Sequence, residues 1–283
     1  MSGDDIPGAA FADLRAEVAR AFAAPEGKTS GTDRGVTSDL SIDEALLLHS
    51  IGWEPIDLIF GASVVSIPVG IWTWGQGALD PASSAHAMAM TSASRRMEDQ
   101  CASVGGHGAV GVRVAIEIHP RHVDVELTGT AVRPVGRAAR RQRPFVSDLS
   151  ARDFALLQGS GWAPVGLAFG ASFVYAPRRT AGTVLRQSTQ NVELVNYTQA
   201  LYAARESAME RMQRSALEMS AHGIVAVRVD EGPMPFARHV IRFSSWGTAV
   251  ALVAESHVGR QPRVVLALDD QVVQFAPEAL HGG

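Results

Sequence analysis

The chain repeats itself. Ser38-Asp39-Leu40-Ser41 returns as Ser147-Asp148-Leu149-Ser150, and the same offset of 109 carries Gly52-Trp53 onto Gly161-Trp162 and Phe60-Gly61-Ala62-Ser63 onto Phe169-Gly170-Ala171-Ser172. Farther along the offset is 115, pairing Arg96-Met97 with Arg211-Met212 and His107-Gly108 with His222-Gly223. At 118 it pairs Gly129-Thr130-Ala131-Val132 with Gly247-Thr248-Ala249-Val250. A 283-residue chain built this way holds two copies of one small unit, with insertions where loops belong. The boundaries read as an N-terminal helix and flexible segment (1–37), a first repeat (38–132), an arginine-rich linker (133–146), a second repeat (147–254) and a C-terminal tail (255–283).

Periodicity sets the elements within each unit. Leu194, Tyr197, Leu201, Ala204, Ala208, Met212, Ala216 and Met219 recur at threes and fours, the stripe of a long amphipathic helix. The first repeat keeps the end of that stripe in Met97, Cys101 and Val104. The helices are expected to stop near Gly105-Gly106 and His222-Gly223, where glycine tolerates a left-handed backbone. Val110, Val112, Val114, Ile116 and Ile118 alternate with less apolar residues, as do Val123, Val125 and Leu127 after the turn at His119-Pro120-Arg121, which predicts an antiparallel hairpin. Apolar runs over 57–67 and 165–176 read as the first strand of each unit. The fold class is therefore α+β: two tandem β-α-β-β units, each a small antiparallel sheet with one long helix on a face. A three-stranded sheet has edges that invite another copy, so a homo-oligomer is expected.

Gly106-His107-Gly108-Ala109-Val110-Gly111-Val112 followed by Gly129-Thr130-Ala131-Val132, and Ala221-His222-Gly223-Ile224-Val225-Ala226-Val227 followed by Gly247-Thr248-Ala249-Val250, resemble the YbjQ-like heavy-metal-binding family over residues 55–132 and 164–250. The resemblance implies a dodecin-like β-α-β-β subunit, assembly into pentamer-like rings and a metal-binding label without a strong ligand motif. Histidine stands at 107 and 222 where the family usually has asparagine, and the Ser-Asp-Leu-Ser and Gly-Trp segments are additions to the family pattern.

Composition excludes several classes. One cysteine, Cys101, rules out an intrachain disulfide and a multi-cysteine zinc site within the chain. No apolar run approaches the roughly 18 residues of a membrane span. The opening residues carry Asp4 and Asp5 where a secretory signal carries positive charge, so a cytoplasmic protein is expected. Lys28 is the single lysine against two dozen arginines, the bias of GC-rich codon usage, and a bacterial source is expected. A net charge of −4 gives no general pull toward nucleic acid. Arg133, Arg137, Arg140, Arg141 and Arg143 crowd the linker without interleaved aromatic residues, the pattern of a solvated spacer.

His107 and His222 are the histidines that recur in both repeats, and imidazole is a common transition-metal ligand. They are the candidate metal ligands, although one histidine per repeat supplies too few donors unless neighbouring units converge, and a backbone hydrogen bond at the helix terminus is the simpler role. His119 and His122 flank a turn, with His239 alone in the second repeat. Cys101 reads as a small buried hydrophobe. Trp72 and Trp74 lie in a segment without a counterpart and are candidate interface residues. Val264, Val265 and Leu266 suggest a strand in the tail. Neither a serine elbow, a phosphate loop nor a dinucleotide fingerprint is present, and no catalytic residue is assigned. The expectation is a non-catalytic, ring-like scaffold or binding module that meets a protein partner through its loops. The alternative is a metal or small-ligand binder with sites at the junctions.

Overall fold

The computed structural model describes residues 36–74, 77–136, 143–176, 194–253, 264–266 and 273–275. The helix expected over 8–24, linker residues Arg137, Arg140 and Arg141, and the Trp74 side chain lie outside the described residues. The chain is α+β. Its N-terminal half runs α1 (Ile42–Ser50), β1 (Trp53–Ser66), α2 (Ile71–Trp74), β2 (Gly77–Ala78), α3 (Asp80–Ser103), β3 (Gly108–Ile118) and β4 (His122–Pro134). The C-terminal half runs β5 (Phe145–Val146), α4 (Ala151–Gly159), β6 (Trp162–Tyr175), α5 (Val195–Glu218), β7 (Gly223–Met234) and β8 (Ala237–Leu252). In the tail, β9 (Val264–Leu266) pairs with β10 (Val273–Phe275) in a separate two-stranded sheet.

The long helices lie where glycine lets them. A Cβ on Gly61 would sit 2.2 Å from the Ala93 carbonyl oxygen, and one on Gly170 would sit 2.1 Å from that of Ala208. The recurrent Phe-Gly-Ala-Ser string therefore marks the point where each helix crosses its first strand at a distance no side chain permits. Below the crossings, Met97, Cys101, Ile59, Val125 and Leu127 fill one core, and Met212, Ala216, Ala168 and Ala249 another. Helix α3 stops at Val104, followed by Gly105 with φ +81°, as its sequence indicates. Helix α5 stops at Met219, earlier than His222-Gly223, and the left-handed residue is Ser220 with φ +57°. A hydroxylated residue holds the position that glycine holds in the first half.

Two short helices carry the Ser-Asp-Leu-Ser strings. Ser41 caps α1 in a capping box with Glu44, and the Ser150 hydroxyl accepts from the Asp153 N–H at the start of α4.

Among the described residues the two main sheets have four strands each, in the orders β1-β4-β3-β5 and β2-β6-β8-β7, one more than the three expected of each unit. The fourth strand of each comes from the other half. β5 pairs in parallel with β3, Gly108 against Phe145 and Ala109 against Val146. β2 pairs antiparallel with β6, Gly77 against Tyr175 and Ala78 against Val174. Each half thus covers one edge of the other and leaves β1 and β7 as outer strands. The N-terminal turns of α3 complete the junction: the Leu79 N–H donates to the Phe173 carbonyl at 2.7 Å, and the Phe173 N–H donates to the Ser83 hydroxyl at 3.3 Å.

Candidate functional site

Two recurrent strings that lie far apart in sequence meet in space. In the C-terminal half the Ser147 hydroxyl lies 3.0 Å from the Thr248 hydroxyl, the Asp148 N–H donates to Thr248 Oγ1 at 3.1 Å, and Thr248 donates to Asp148 Oδ1 at 2.7 Å. Arg228 Nε stands 3.4 Å from Asp148 Oδ2. The N-terminal half repeats the arrangement with Ser38, Asp39 and Thr130, and Arg113 stands 3.2 Å from Asp39 Oδ2. The threonine of Gly-Thr-Ala-Val is therefore the anchor for Ser-Asp-Leu-Ser, and it fixes the segment just before each short helix. Burial pushes the Asp148 carboxyl above its ordinary range, against the pull of the Thr248 hydrogen bond and of Arg228.

The anchored segments differ in what their backbones do. Around β5, Phe145 N–H donates to the His107 carbonyl at 3.2 Å, Ser147 N–H to Ala109 at 3.0 Å, Gly111 N–H to Leu149 at 2.7 Å and Val112 N–H to Ser147 at 3.0 Å. The outward Gly111 and Val112 donors arise from a bulge in β3 between Val110 and Arg113, where Gly111 has φ +64°. The Phe145 ring lies where a Cβ on Gly108 would be, stacked on Phe154 with centroids 5.7 Å apart and set edge-on to Trp53. β7 carries the same bulge between Val225 and Arg228, with Ala226 at φ +54°, but no strand lies beyond it among the described residues.

His107 and His222 sit at these edges. Each backbone N–H donates across its own sheet, His107 to Val132 and His222 to Val250, both at 2.8 Å. The His222 Nδ1 accepts from the Leu252 N–H at 3.1 Å, and its ring stands edge-on to Trp162. Within the described residues neither belongs to a cluster of metal donors. One such cluster forms elsewhere, from His119, His122 and Asp124 at the tip of the β3–β4 hairpin, with donor atoms within 4.8 Å of one another. The imidazoles stack with centroids 4.5 Å apart. His119 Nε2 lies 3.5 Å from Glu117 and 3.8 Å from Asp124, and His122 Nε2 lies 3.6 Å from Asp124. Glu117 and Asp124 are direct cross-strand partners, a like-charge juxtaposition that a cation between them relieves. His239, in the second half, instead lies 2.9 Å from the Tyr197 hydroxyl.

Trp72 is a contact between the halves. Its indole N–H donates to the Pro120 carbonyl at 2.8 Å, and its ring meets Phe173 and Phe236 edge-on at 5.8 and 5.3 Å. Arg133 and Arg143 at the linker ends pair with Glu54 and Glu98. Cys101 is fully buried, and burial pushes its thiol up to about 12. Among the described residues no helix is long and apolar enough to cross a membrane.

Comparison with known proteins bears on the second half and on the whole chain. The YbjQ family model, described as "Putative heavy-metal-binding", matches residues 179–253. The encapsulin nanocompartment protein Rv1762c of Mycobacterium tuberculosis is 34% identical over 252 residues, covering 86% of this chain and 95% of that protein.

Proposed function

Since this chain belongs to the YbjQ-like family and is a relative of a nanocompartment protein along nearly its whole length, we propose that it is a non-catalytic structural subunit that assembles with copies of itself into a closed scaffold. The observation that carries this reading is the unbalanced pair of outer strands. Inside the chain each half covers an edge of the other, yet β1 and β7 remain outer strands with apolar residues turned to solvent, Phe60 and Val64 on one and Val227 and Val229 on the other. Apolar outer strands of this kind recruit further strands. Units of the dodecin-like β-α-β-β type joined edge to edge close into rings, and a shell needs no active site to do its work. Native mass spectrometry of the purified chain tests the proposal: a single closed multiple of the 30.0 kDa chain is expected, and a monomer at micromolar concentration refutes it.

A second reading is favoured by the hairpin cluster. His119, His122, Asp124 and Glu117 offer two imidazoles and two carboxylates on the solvent face, a donor set suited to zinc, copper or nickel. Tetrahedral zinc at 2.0–2.2 Å from each donor spaces those donors about 3.4 Å apart, close to the 3.5–3.8 Å separations found here. In this reading the metal implied by the family description is held by the hairpin instead of by His107 and His222. Zinc titration by calorimetry decides: uptake lost in His119→Ala/His122→Ala and kept in His107→Asn/His222→Asn is the expected result. The reverse pattern, or uptake in neither protein nor variant, refutes it.

A further inference from the structure

Resting on the scaffold reading, we infer that copies of this chain join head to tail, residues Val36–Leu40 of one chain adding as a parallel strand to β7 of the next in the register that β5 adopts on β3. The internal junction is the template. Offsets of 109 and 115 carry the Phe145–Gly108 and Val146–Ala109 pairs onto Val36–Gly223 and Thr37–Ile224. The same mapping predicts four intermolecular hydrogen bonds: Val36 N–H to the His222 carbonyl, Ser38 N–H to Ile224, Ala226 N–H to Leu40 and Val227 N–H to Ser38.

Donor and acceptor are both built, and among the described residues neither is paired with another strand in this way. The donor segment is fixed at Ser38 and Asp39 by Thr130 and Arg113, as its counterpart is by Thr248 and Arg228. Its strand residues nonetheless face solvent: Val36 is 60% exposed where Phe145 is 2% exposed. At the acceptor, a Cβ on Gly223 would meet only Val250 at 3.9 Å, whereas one on Gly108 would fall 2.3 Å from the Phe145 ring. Val227 is 42% exposed where Val112 is 3% exposed. The bulge in β7 is the most telling feature. Holding Ala226 in the left-handed region costs about 1–2 kcal/mol, and in β3 the equivalent turn serves to aim two N–H groups at the Ser147 and Leu149 carbonyls just after β5. β7 keeps the device although nothing described in the chain uses it.

The flanking surfaces agree. Helix α4 packs Ala151 and Phe154 into the junction, while their counterparts Ile42 and Ala45 on α1 are exposed and half-buried. Leu48 is buried beneath α4, and its counterpart Leu157 is only half-buried. On the opposite side of the units, Phe173 of β6 is covered by the N-terminal turns of α3, whereas its counterpart Val64 on β1 is 68% exposed. A cleft of about 800 Å³ is lined by Tyr197, Leu201, Met234 and Ile241, whereas Ala82 and His86, the counterparts of Tyr197 and Leu201 in the first half, are buried. Every mismatch has the sign expected if one neighbour is missing at each end. Such a heterologous contact propagates until it closes.

Disulfide trapping tests the register. Paired strands hold opposing Cα atoms about 5 Å apart, within reach of a disulfide, and the native Cys101 is buried and does not compete. Oxidised Thr37→Cys/Ile224→Cys is expected to give a ladder of covalent species beyond the dimer on a non-reducing gel. Either single variant stops at the dimer. An oligomer intact by native mass spectrometry that gives no ladder overturns the register and leaves the scaffold reading standing, whereas a monomeric protein overturns both. Gly223→Leu is the second variant. In the single chain its Cβ meets only Val250, at 3.9 Å, so its circular dichroism should match that of the parent, while its dominant mass should fall to that of one chain and its melting temperature should fall only by what assembly contributes. Assembly unchanged by Gly223→Leu overturns the inference.

Discussion

Replacing His86 with leucine should remove a defined part of the acid sensitivity of this fold. His86 lies on α3 where that helix crosses to β6 of the other half, near Phe173 with ring centroids 6.4 Å apart. Only 1% of it is exposed, and among the described residues neither ring nitrogen has a hydrogen-bond partner. Burial, and secondarily the Arg242 guanidinium, lower its pKa from 6.5 to about 4. Arg242 is itself held by Asp230 at 2.7 Å, so the positive field at the ring is a fixed feature of the site. Between pH 6.5 and 4 the unfolded chain binds a proton here that the folded chain refuses. The native state therefore loses stability as pH falls through that window, and is unaffected above it. At about 1.4 kcal/mol per pH unit the loss reaches about 3 kcal/mol by pH 4. Leucine is the residue at the counterpart position 201, so the variant keeps a shape the fold already uses. It also removes two unsatisfied buried nitrogens, which adds about 1–2 kcal/mol at pH 7. Urea unfolding followed by tryptophan fluorescence at pH 7.5, 5.5 and 4.5 measures both effects. The difference between parent and variant should change sharply across the window because the other titrating groups cancel. Parallel curves from pH 7.5 to 4.5 would refute the reasoning.

Three further outcomes follow from single contacts. Ala226→Gly relieves the left-handed backbone of β7 and should raise stability by about 1 kcal/mol, read as a higher urea midpoint at unchanged slope. Gly170→Ala drives a methyl against the Ala208 carbonyl and should destabilise the second half by at least about 2 kcal/mol, visible as a lowered melting temperature or loss of soluble protein. The Cys101 thiol, buried and titrating near 12, should not react with a chromogenic disulfide reagent at pH 8 until urea unfolds the chain.

Much of the architecture was legible from residues alone. The helical stripe over 194–219 and the alternation over 110–118 specify their elements because both periods are set by one face of a local structure meeting one core. The short helices α1 and α4 escaped that reading: at nine residues each they offer barely two turns of stripe, and their clearest mark is the cap at Ser41 and Ser150. The hairpin cluster was half visible. His119 and His122 flank a turn, but Glu117 and Asp124 join them only because i, i+2 positions on two paired strands share a face, and the register that places Glu117 opposite Asp124 belongs to the hairpin.

The sequence by itself determined that the chain is a repeat and which residues begin and end most of its long elements; that Gly61 and Gly170 let helix and strand touch belongs to the fold. Tertiary structure decided how the halves exchange strands. Nothing local distinguishes Phe145-Val146, which completes a sheet, from Val36-Thr37, which faces solvent, because strand addition is a contact between backbones distant in sequence and carries no side-chain period of its own. In both halves the segment before the short helix is tied to a threonine of an inner strand, Thr130 or Thr248, and only the fold shows that one of these segments lies against another strand's edge.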